Sequence, residues 1–527
     1  PCAPPPSARA DVPAAEAPAT ETEQIVAAVW ADLLALPAIG RGDDFFALGG
    51  QSLPAVRAVA ALRERLALPA AESPALIRLL LAGPTVQDFA RAVDEIAAGG
   101  RRPAGTGLDL RAEGEPDPGL RITAPPPPDP LAPRHVLLTG ATGFLGAFLL
   151  DRLLHRTDAT VHCLVRAADE EGARRRLRAS LRRFGLTADD TWRRVVAVPG
   201  DLTSPGFGLG AAGFDALARE ADTVVHNAAH VNFAYPYDAL RPANVDGTRT
   251  VLRLAAAHRL KPVHYVSTMD TLTGDGLAGR EHAPEDGLPR HPDRLGTGYA
   301  QTKWVAERLL LEASARGLPV TVHRPYEISG SVERGTWPTG TLMCALIKAI
   351  ADTGTAPDAP LPLNLVPVDF TADALVHILT HEPPCGRVYH VTNARPADLR
   401  LLVDRLRARG RTVRDVPAAE WLDAMARRAT ESPDFPLTPF LPMLTVPSGP
   451  GAPPRGELTA PLPPYGRENF DRAMAASGLD CPPVDGSLID HYLDHFEDIG
   501  FLAASERRPG PRGGATSSGC GSGRTLS

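Results

Sequence analysis

The sequence predicts an α/β protein: a small four-helix unit, then a doubly wound parallel sheet with a mostly helical cap toward the C-terminus. Three observations carry this prediction. From about 134 to 330, short β-rich runs alternate with helical ones ("RHVLLTG", "FLGAFLLDRLLHR", "TVHCLVR", "RRVVAVPGDL", "DTVVHNAA"), the pattern of right-handed βαβ units. The first of these runs leaves its strand and opens a helix through "LLTGATGFLG", with Gly140, Gly143 and Gly146 at G-x-x-G-x-x-G spacing. Ahead of the alternation, residues 21–98 place their apolar residues at helical spacing instead.

Taken in order, residues 1–20 are Pro/Ala-rich and predict a linker. A first helix over about 22–35 sets Ile25, Val29, Trp30, Leu33 and Leu34 on one face. Ser52 opens a second helix (Val56, Val59, Leu62, Leu66), and Thr85 with Asp88 form a capping box at the start of the last. Residues 99–133, "GGRRPAGTG" to "APPPPDPLAPR", predict a second linker. The sheet core is expected over about 134–330, a cap mainly over 331–505, and a Gly/Ser/Arg-rich disordered tail over 506–527. The chain begins with Pro1 rather than methionine, so it is expected to be cut from a longer polypeptide.

Length and composition bound the function. At 527 residues the chain holds about three domain-sized units, and 43% hydrophobic with 22% charged residues fits an ordinary globular protein. A net charge of −7 argues against a nucleic-acid or anionic-membrane partner. No apolar run is long enough for a membrane helix. The six cysteines form no C-x-x-C pair and no metal spacing with histidine, so a reduced, cytoplasmic protein without structural metal is expected.

The glycine turn is built for a dinucleotide. Its first glycine allows the tight turn, its second lets backbone N–H groups approach a pyrophosphate, and its third packs helix on strand. Thr142, Phe144 and Leu145 complete the cofactor-binding turn. Where an acid would bind the ribose 2′-hydroxyl of NAD, "CLVRAA" has Arg166, which suits the 2′-phosphate of NADPH. Arg176, in the basic run 173–184, is a candidate second contact, with a solvated helix face as the alternative. Tyr299 and Lys303 in "GYAQTKWVAE" stand at i and i+4 on one helix face, where the ammonium is expected to lower the pKa of the phenol. "YVST" adds a hydroxyl from Ser267 or Thr268, and the sequence leaves open which of the two points inward.

These motifs, with "GDL", "VVHNAA", "NVDGT" and "PVDFTADA", resemble the extended short-chain dehydrogenase/reductases. Within that Rossmann-fold superfamily they resemble the thioester reductase domains that end nonribosomal peptide and polyketide synthetases, and those of carboxylic acid reductases. The likeness spans about 109–500. It implies Thr268, Tyr299 and Lys303 as catalytic triad, Asp201 and Leu202 flanking the adenine, Asn227, Ala228 and Ala229 lining the cofactor, and Asn244 in a supporting role. In the same frame "DDFFALGGQSL" resembles the attachment motif of acyl and peptidyl carrier domains, with Ser52 as the serine that receives 4′-phosphopantetheine and Gln51 in place of the commoner histidine. The small residues expose the hydroxyl, and the helix N-terminus behind it favours the phosphodiester.

The resemblance implies reductive release of an acyl or peptidyl thioester with NADPH as an aldehyde, and by a second hydride transfer a primary alcohol. It also implies a phosphopantetheinyl transferase and upstream synthetase modules as partners. Other readings compete: a carboxylic acid reductase fragment, a non-redox cyclising release domain, an NAD-dependent nucleotide-sugar epimerase or dehydratase, and a docking and carrier module without redox activity. Arg166 and the helical unit speak against the epimerase, and the presence of Tyr299 speaks against the cyclising domain. One departure from the family stands out: after "HRP", Tyr326 and Glu327 occupy a place that usually holds a small residue close to nicotinamide and substrate.

Overall fold

In the computed structural model, residues 16–504 are described apart from 47, 50–51, 67, 69–75, 77–78, 81–84, 98–107, 127–128, 188, 234, 433 and 441–461. The tail expected over 506–527 and most of the first linker therefore lie outside the described residues.

Three helices of the N-terminal unit are described: α1 (Glu21–Leu34), α2 (Ser52–Arg65) and α3 (Val86–Ala97). They close on Trp30, whose ring lies 5.1 Å from Phe45 and 5.9 Å from Phe89, with Val26, Val59, Leu62 and Val93 buried around it. Thr20 caps α1 by accepting from the Glu23 N–H, and the predicted box forms at α3: Thr85 Oγ1 accepts from Asp88 N at 3.2 Å and donates to its carboxylate at 2.8 Å. Part of the stretch between α2 and α3 lies outside the described residues; Leu76 and Leu80 are buried in the same core.

The sheet is all parallel. Its strands are β1 (His135–Thr139), β2 (Thr160–Val165), β3 (Val195–Pro199), β4 (Thr223–His226), β5 (Val263–Val266), β6 (Val320–Pro325) and β7 (Arg387–Val391), in the spatial order β7-β6-β5-β4-β1-β2-β3. One face carries α4 (Phe144–Arg156), α5 (Glu170–Arg183) and α10 (Val368–His381); the other carries α6 (Gly210–Glu220), α7 (Gly247–Ala256) and α8 (Gly298–Ala315). Neighbouring strand residues serve opposite faces: Val136 and Leu138 join the first core, Leu137 the second. The order reverses between β1 and β4, so a crevice opens at the carboxyl ends of those strands, the usual ligand position in such sheets.

Two expected boundaries are corrected. The second linker is open chain only in part: Asp109 caps a short helix at Leu110–Glu113, Leu110 and Leu120 are buried against α8 and its neighbours, and Leu260 N donates to Pro125 O at 2.8 Å. The sheet core also does not end near 330, because β7 pairs with β6 and α10 packs on α4. The remaining cap has its own core, made by α9 (Leu342–Thr353), α11 (Leu399–Ala408), α12 (Ala418–Glu431) and α13 (Gly486–Asp498) around Trp337, Trp421 and Tyr492.

Candidate active site

The turn after β1 meets the demands of a dinucleotide cradle. Gly140 has φ +75°, and a Cβ there would lie 2.8 Å from the backbone of Ala228. A Cβ on Gly146 would lie 1.9 Å from the Gly140 carbonyl oxygen, so any side chain would push α4 off the strand. Gly143 stands at the N-cap of α4 and no side chain caps that end, which leaves first-turn N–H groups, Phe144 and Leu145 among them, to face an anion. Ser180 Oγ holds the turn by donating to Thr142 O at 3.0 Å. The crevice wall is tied to the turn by Asn227 Nδ2 donating to Gly140 O (3.3 Å) and Ala228 N to Thr139 Oγ1 (3.0 Å), with Ala229 next in the chain.

Arg166 leaves the end of β2 exposed, and Arg176, exposed on α5, donates to its carbonyl oxygen. Arg176 is thereby held against the backbone at the end of β2, and the Arg166 charge lies near enough to His230, after β4, to help lower its pKa, behind the larger effect of burial. Asp201, after β3, accepts from the N–H and hydroxyl of Thr203, both at 2.9 Å, and Leu202 packs on Gly247 at the start of α7. Asn244 fixes the loop after β4: its side chain accepts from His230 N (2.7 Å) and donates to His230 O (3.2 Å) and to Thr302 Oγ1 on α8 (3.0 Å).

The hydroxyl pair at the end of β5 divides its work. Ser267 is buried and donates to Glu307, which is paired with the fully buried Arg324 at 2.6 Å. That hydroxyl is spent on an internal network. Thr268 is only partly buried; its Oγ1 accepts from Asp270 N at 3.2 Å and hydrogen bonds the Asp270 carboxyl group. Of the two, Thr268 is the more exposed, and its hydroxyl is tied to Asp270 rather than to the Glu307–Arg324 pair.

Tyr299 and Lys303 lie on α8, both buried, and Thr297 caps that helix. Lys303 Nζ donates to Val266 O at 2.5 Å and stands 4.1 Å from the centre of the Tyr265 ring. Burial lowers its pKa to about 7, against the opposing pull of Glu307. The expected depression of the Tyr299 phenol is not found. Burial first, and the Asp270 carboxylate second, push its pKa above the ordinary value, because both disfavour a new negative charge. The Tyr299 phenol is therefore kept protonated in the free protein.

Sequence reasoning missed Asp270, although it stands two residues after Thr268 in "YVSTMD". Burial pushes this carboxyl up to about 6, and burial with the nearby Asp270 pushes Glu327 up to about 8. The Tyr326–Glu327 departure thus places a second buried carboxyl group near Asp270, while the Tyr326 ring packs against Met269, Leu272 and Tyr465. The folded chain holds these protons above the pH at which the unfolded chain has released them. Stability contributed at this site is therefore full below pH about 4.5 and falls as pH rises toward about 8. Glu327→Gln is expected to leave the thermal midpoint at pH 5 nearly unchanged and to raise it at pH 8.5; parallel midpoints for both proteins across pH 5 to 8.5 would refute this.

Aromatic residues link the two halves of the chain. Phe46, in the loop before α2, has its ring 5.1 Å from Tyr235; Phe233, two residues away, has its ring 5.3 Å from Tyr299 and 6.2 Å from Phe440. Helix α2 itself rests against α12 and the turn Thr438–Phe440. The backbone of Ser52 begins α2; its side chain lies outside the described residues.

The fold and site define a two-part protein: a helical unit whose second helix begins at Ser52, set against a sheet domain with a glycine-rich turn and Thr268, Tyr299 and Lys303 near the strand ends. Comparison with known proteins agrees. The family model for phosphopantetheine attachment sites matches residues 24–93, and that described as male sterility protein, an NAD-binding domain, matches 138–375. Isonitrile lipopeptide synthase of Streptomyces coeruleorubidus is 36% identical over 502 residues, 93% of this chain and 33% of that protein. The crystal structure of the terminal R domain from the myxalamid PKS-NRPS biosynthetic pathway matches at 39% identity with a TM-score of 0.69, over 75% of this chain and 99% of that one. A thiolation-reductase di-domain from an archaeal non-ribosomal peptide synthetase shares the fold over 93% of this chain and 99% of its own, at 20% identity and a TM-score of 0.66.

The chain belongs to the reductase (R) domains of nonribosomal peptide synthetases, here preceded by a phosphopantetheine carrier domain. It spans between a tenth and about a half of the length of the curated relatives it matches. Among the described residues no helix is long and apolar enough to cross a membrane.

Proposed function

We propose that this chain releases an acyl or peptidyl group from a phosphopantetheinyl thioester on Ser52 by NADPH-dependent reduction to an aldehyde, with a primary alcohol as the product of a second round. The observation that carries the proposal is the segment 230–237, which touches Phe46 of the carrier through Tyr235 and Tyr299 of the reductase through Phe233. The attachment loop and the proton donor are thereby neighbours of one short stretch of chain. A tethered thioester would meet this site at high effective concentration.

The glycine cradle and the free N-terminus of α4 fit a nicotinamide dinucleotide, and the start of α2 fits the phosphodiester of the pantetheine arm. When bound, NADPH supplies the hydride. Thr268 and Tyr299 donate hydrogen bonds to the thioester oxygen as negative charge gathers there, and Tyr299 gives it a proton to form the thiohemiacetal. Lys303 would hold the ribose of the cofactor, and its ammonium group returns a proton to the phenolate. The thiohemiacetal C–S bond then breaks, the carbonyl re-forms as an aldehyde, and the arm leaves as a thiol. Arg166, with Arg176, would hold the 2′-phosphate. On this reading upstream modules load the carrier, a transferase installs its arm, and the reaction takes place in the cytoplasm.

The test is a single turnover of the pantetheinylated, acyl-loaded chain with NADPH or NADH, the product identified by mass spectrometry. Aldehyde or alcohol with stoichiometric NADPH oxidation is the expected result. A cyclic product without NADPH oxidation would overturn it. Arg166→Ala is expected to raise the KM for NADPH about tenfold, the scale of one exposed charge-assisted hydrogen bond, and to leave that for NADH unchanged. An equal effect on both cofactors would remove Arg166 from the 2′-phosphate site.

A further inference from the structure

At the amino-terminal ends of the strands, on the opposite edge of the sheet from the cofactor crevice, three side chains converge from three elements. His135 is the first residue of β1, His162 the third of β2, and Glu220 the last of α6. In the parallel register His135 stands opposite Thr160, so His162, two residues on, faces the same side of the sheet, and α6 packs on that side. His135 Nδ1 and His162 Nε2 are 3.2 Å apart; Glu220 Oε1 is 3.9 Å from the first and 3.8 Å from the second. A triangle with these sides has a point about 2.1 Å from all three atoms, which is the Zn–N and Zn–O bond length.

We propose that His135, His162 and Glu220 bind a zinc ion that clamps β1, β2 and the end of α6 together, with water in the fourth position. Two imidazole nitrogens and one carboxylate form a ligand set that suits zinc rather than magnesium or calcium. The groups also differ in access as a loadable site requires: the His162 side chain is 2% exposed and fixed in the core, whereas those of His135 and Glu220 are 37% and 53% exposed and open the site to solvent. Glu220 ends its helix at the pole where a carboxylate is disfavoured, and a cation at this point removes that conflict. Asp222 adds negative charge next to the cluster while accepting from the N–H groups of Arg134 and His135. The strand β1 separates the ion from the glycine turn by about 13 Å, so its role is structural. No sequence spacing announces it, because the ligands are contributed one per element.

The full chain, without an affinity tag, is stripped with chelator and titrated with Zn²⁺ and, separately, Co²⁺. One Zn²⁺ per chain is expected to survive gel filtration and raise the thermal midpoint, and Co²⁺ to give the intense visible absorption of four-coordinate cobalt. His135→Gln and Glu220→Gln alter exposed side chains; each is expected to weaken Zn²⁺ by more than about tenfold, since even outer partners of metal ligands are worth that much, with metal-free midpoints matching the parent. Failure to retain Zn²⁺, or equal retention by the His135→Gln/Glu220→Gln double variant, would overturn the site and leave a plain imidazole–imidazole hydrogen bond between the strands. Neither result bears on reductive release.

Discussion

Tyr299→Phe is expected to slow the single-turnover reduction of a carrier-bound thioester by about 10²- to 10⁴-fold, the range for loss of a positioned general acid. That corresponds to about 3–5 kcal/mol of barrier. The phenol is buried on α8 and lifted above its ordinary pKa by burial and by Asp270, so it arrives protonated at every pH near neutrality. Removing its oxygen leaves Thr268 alone to face the developing charge. The ring stays, and with it the contact to Phe233, so NADPH affinity and thermal stability are expected to change little. The measurement is stopped-flow loss of nicotinamide absorbance with enzyme in excess, beside cofactor titration of the same variant. A rate within tenfold of the parent would transfer the proton-donating role to another group. Collapse of cofactor binding in step with the rate would make Tyr299 a structural residue.

What the sequence disclosed about this site follows how local each signal is. The glycine turn and the Tyr299/Lys303 pair are set by three to seven consecutive residues, and each lands where the spacing puts it. Thr85 and Asp88 box their helix for the same reason. That Ser267 is tied into the interior was not legible, because its partner is Glu307, forty residues away, which accepts from the Ser267 hydroxyl while held by Arg324 from the next strand. The lowered phenol pKa was a local inference from an i, i+4 lysine, and it failed for a long-range reason: burial by the whole domain lowers Lys303 to about 7 and raises Tyr299. Strand β7 went unnoticed because a strand buried on both faces loses its alternation. The segment 109–125 reads as linker by its prolines, yet Leu110 and Leu120 are enough to dock it.

Ser52→Ala is expected to abolish release from the carrier altogether while leaving the reductase intact. The substitution removes the hydroxyl on which the proposed function places the arm, so acyl loading of this chain should fall to background in mass spectrometry of the intact protein. A soluble acyl thioester of pantetheine should still be reduced, but only at the rate its free concentration supports, whereas a tethered one faces the site at an effective concentration on the order of millimolar. The same comparison tests the contact between the two halves. If the neighbourhood of Phe46 and Tyr235 guides the arm toward Tyr299, Phe46→Ala in a fully loaded chain should slow reduction in cis without changing reduction of the soluble thioester. Equal slowing of both would place Phe46 in the fold of the active site rather than in delivery. Undiminished on-carrier turnover by Ser52→Ala would mean that the thioester is carried elsewhere, and with it the proposed order of events, attachment at the head of α2 and then hydride transfer beside Tyr299, would fall.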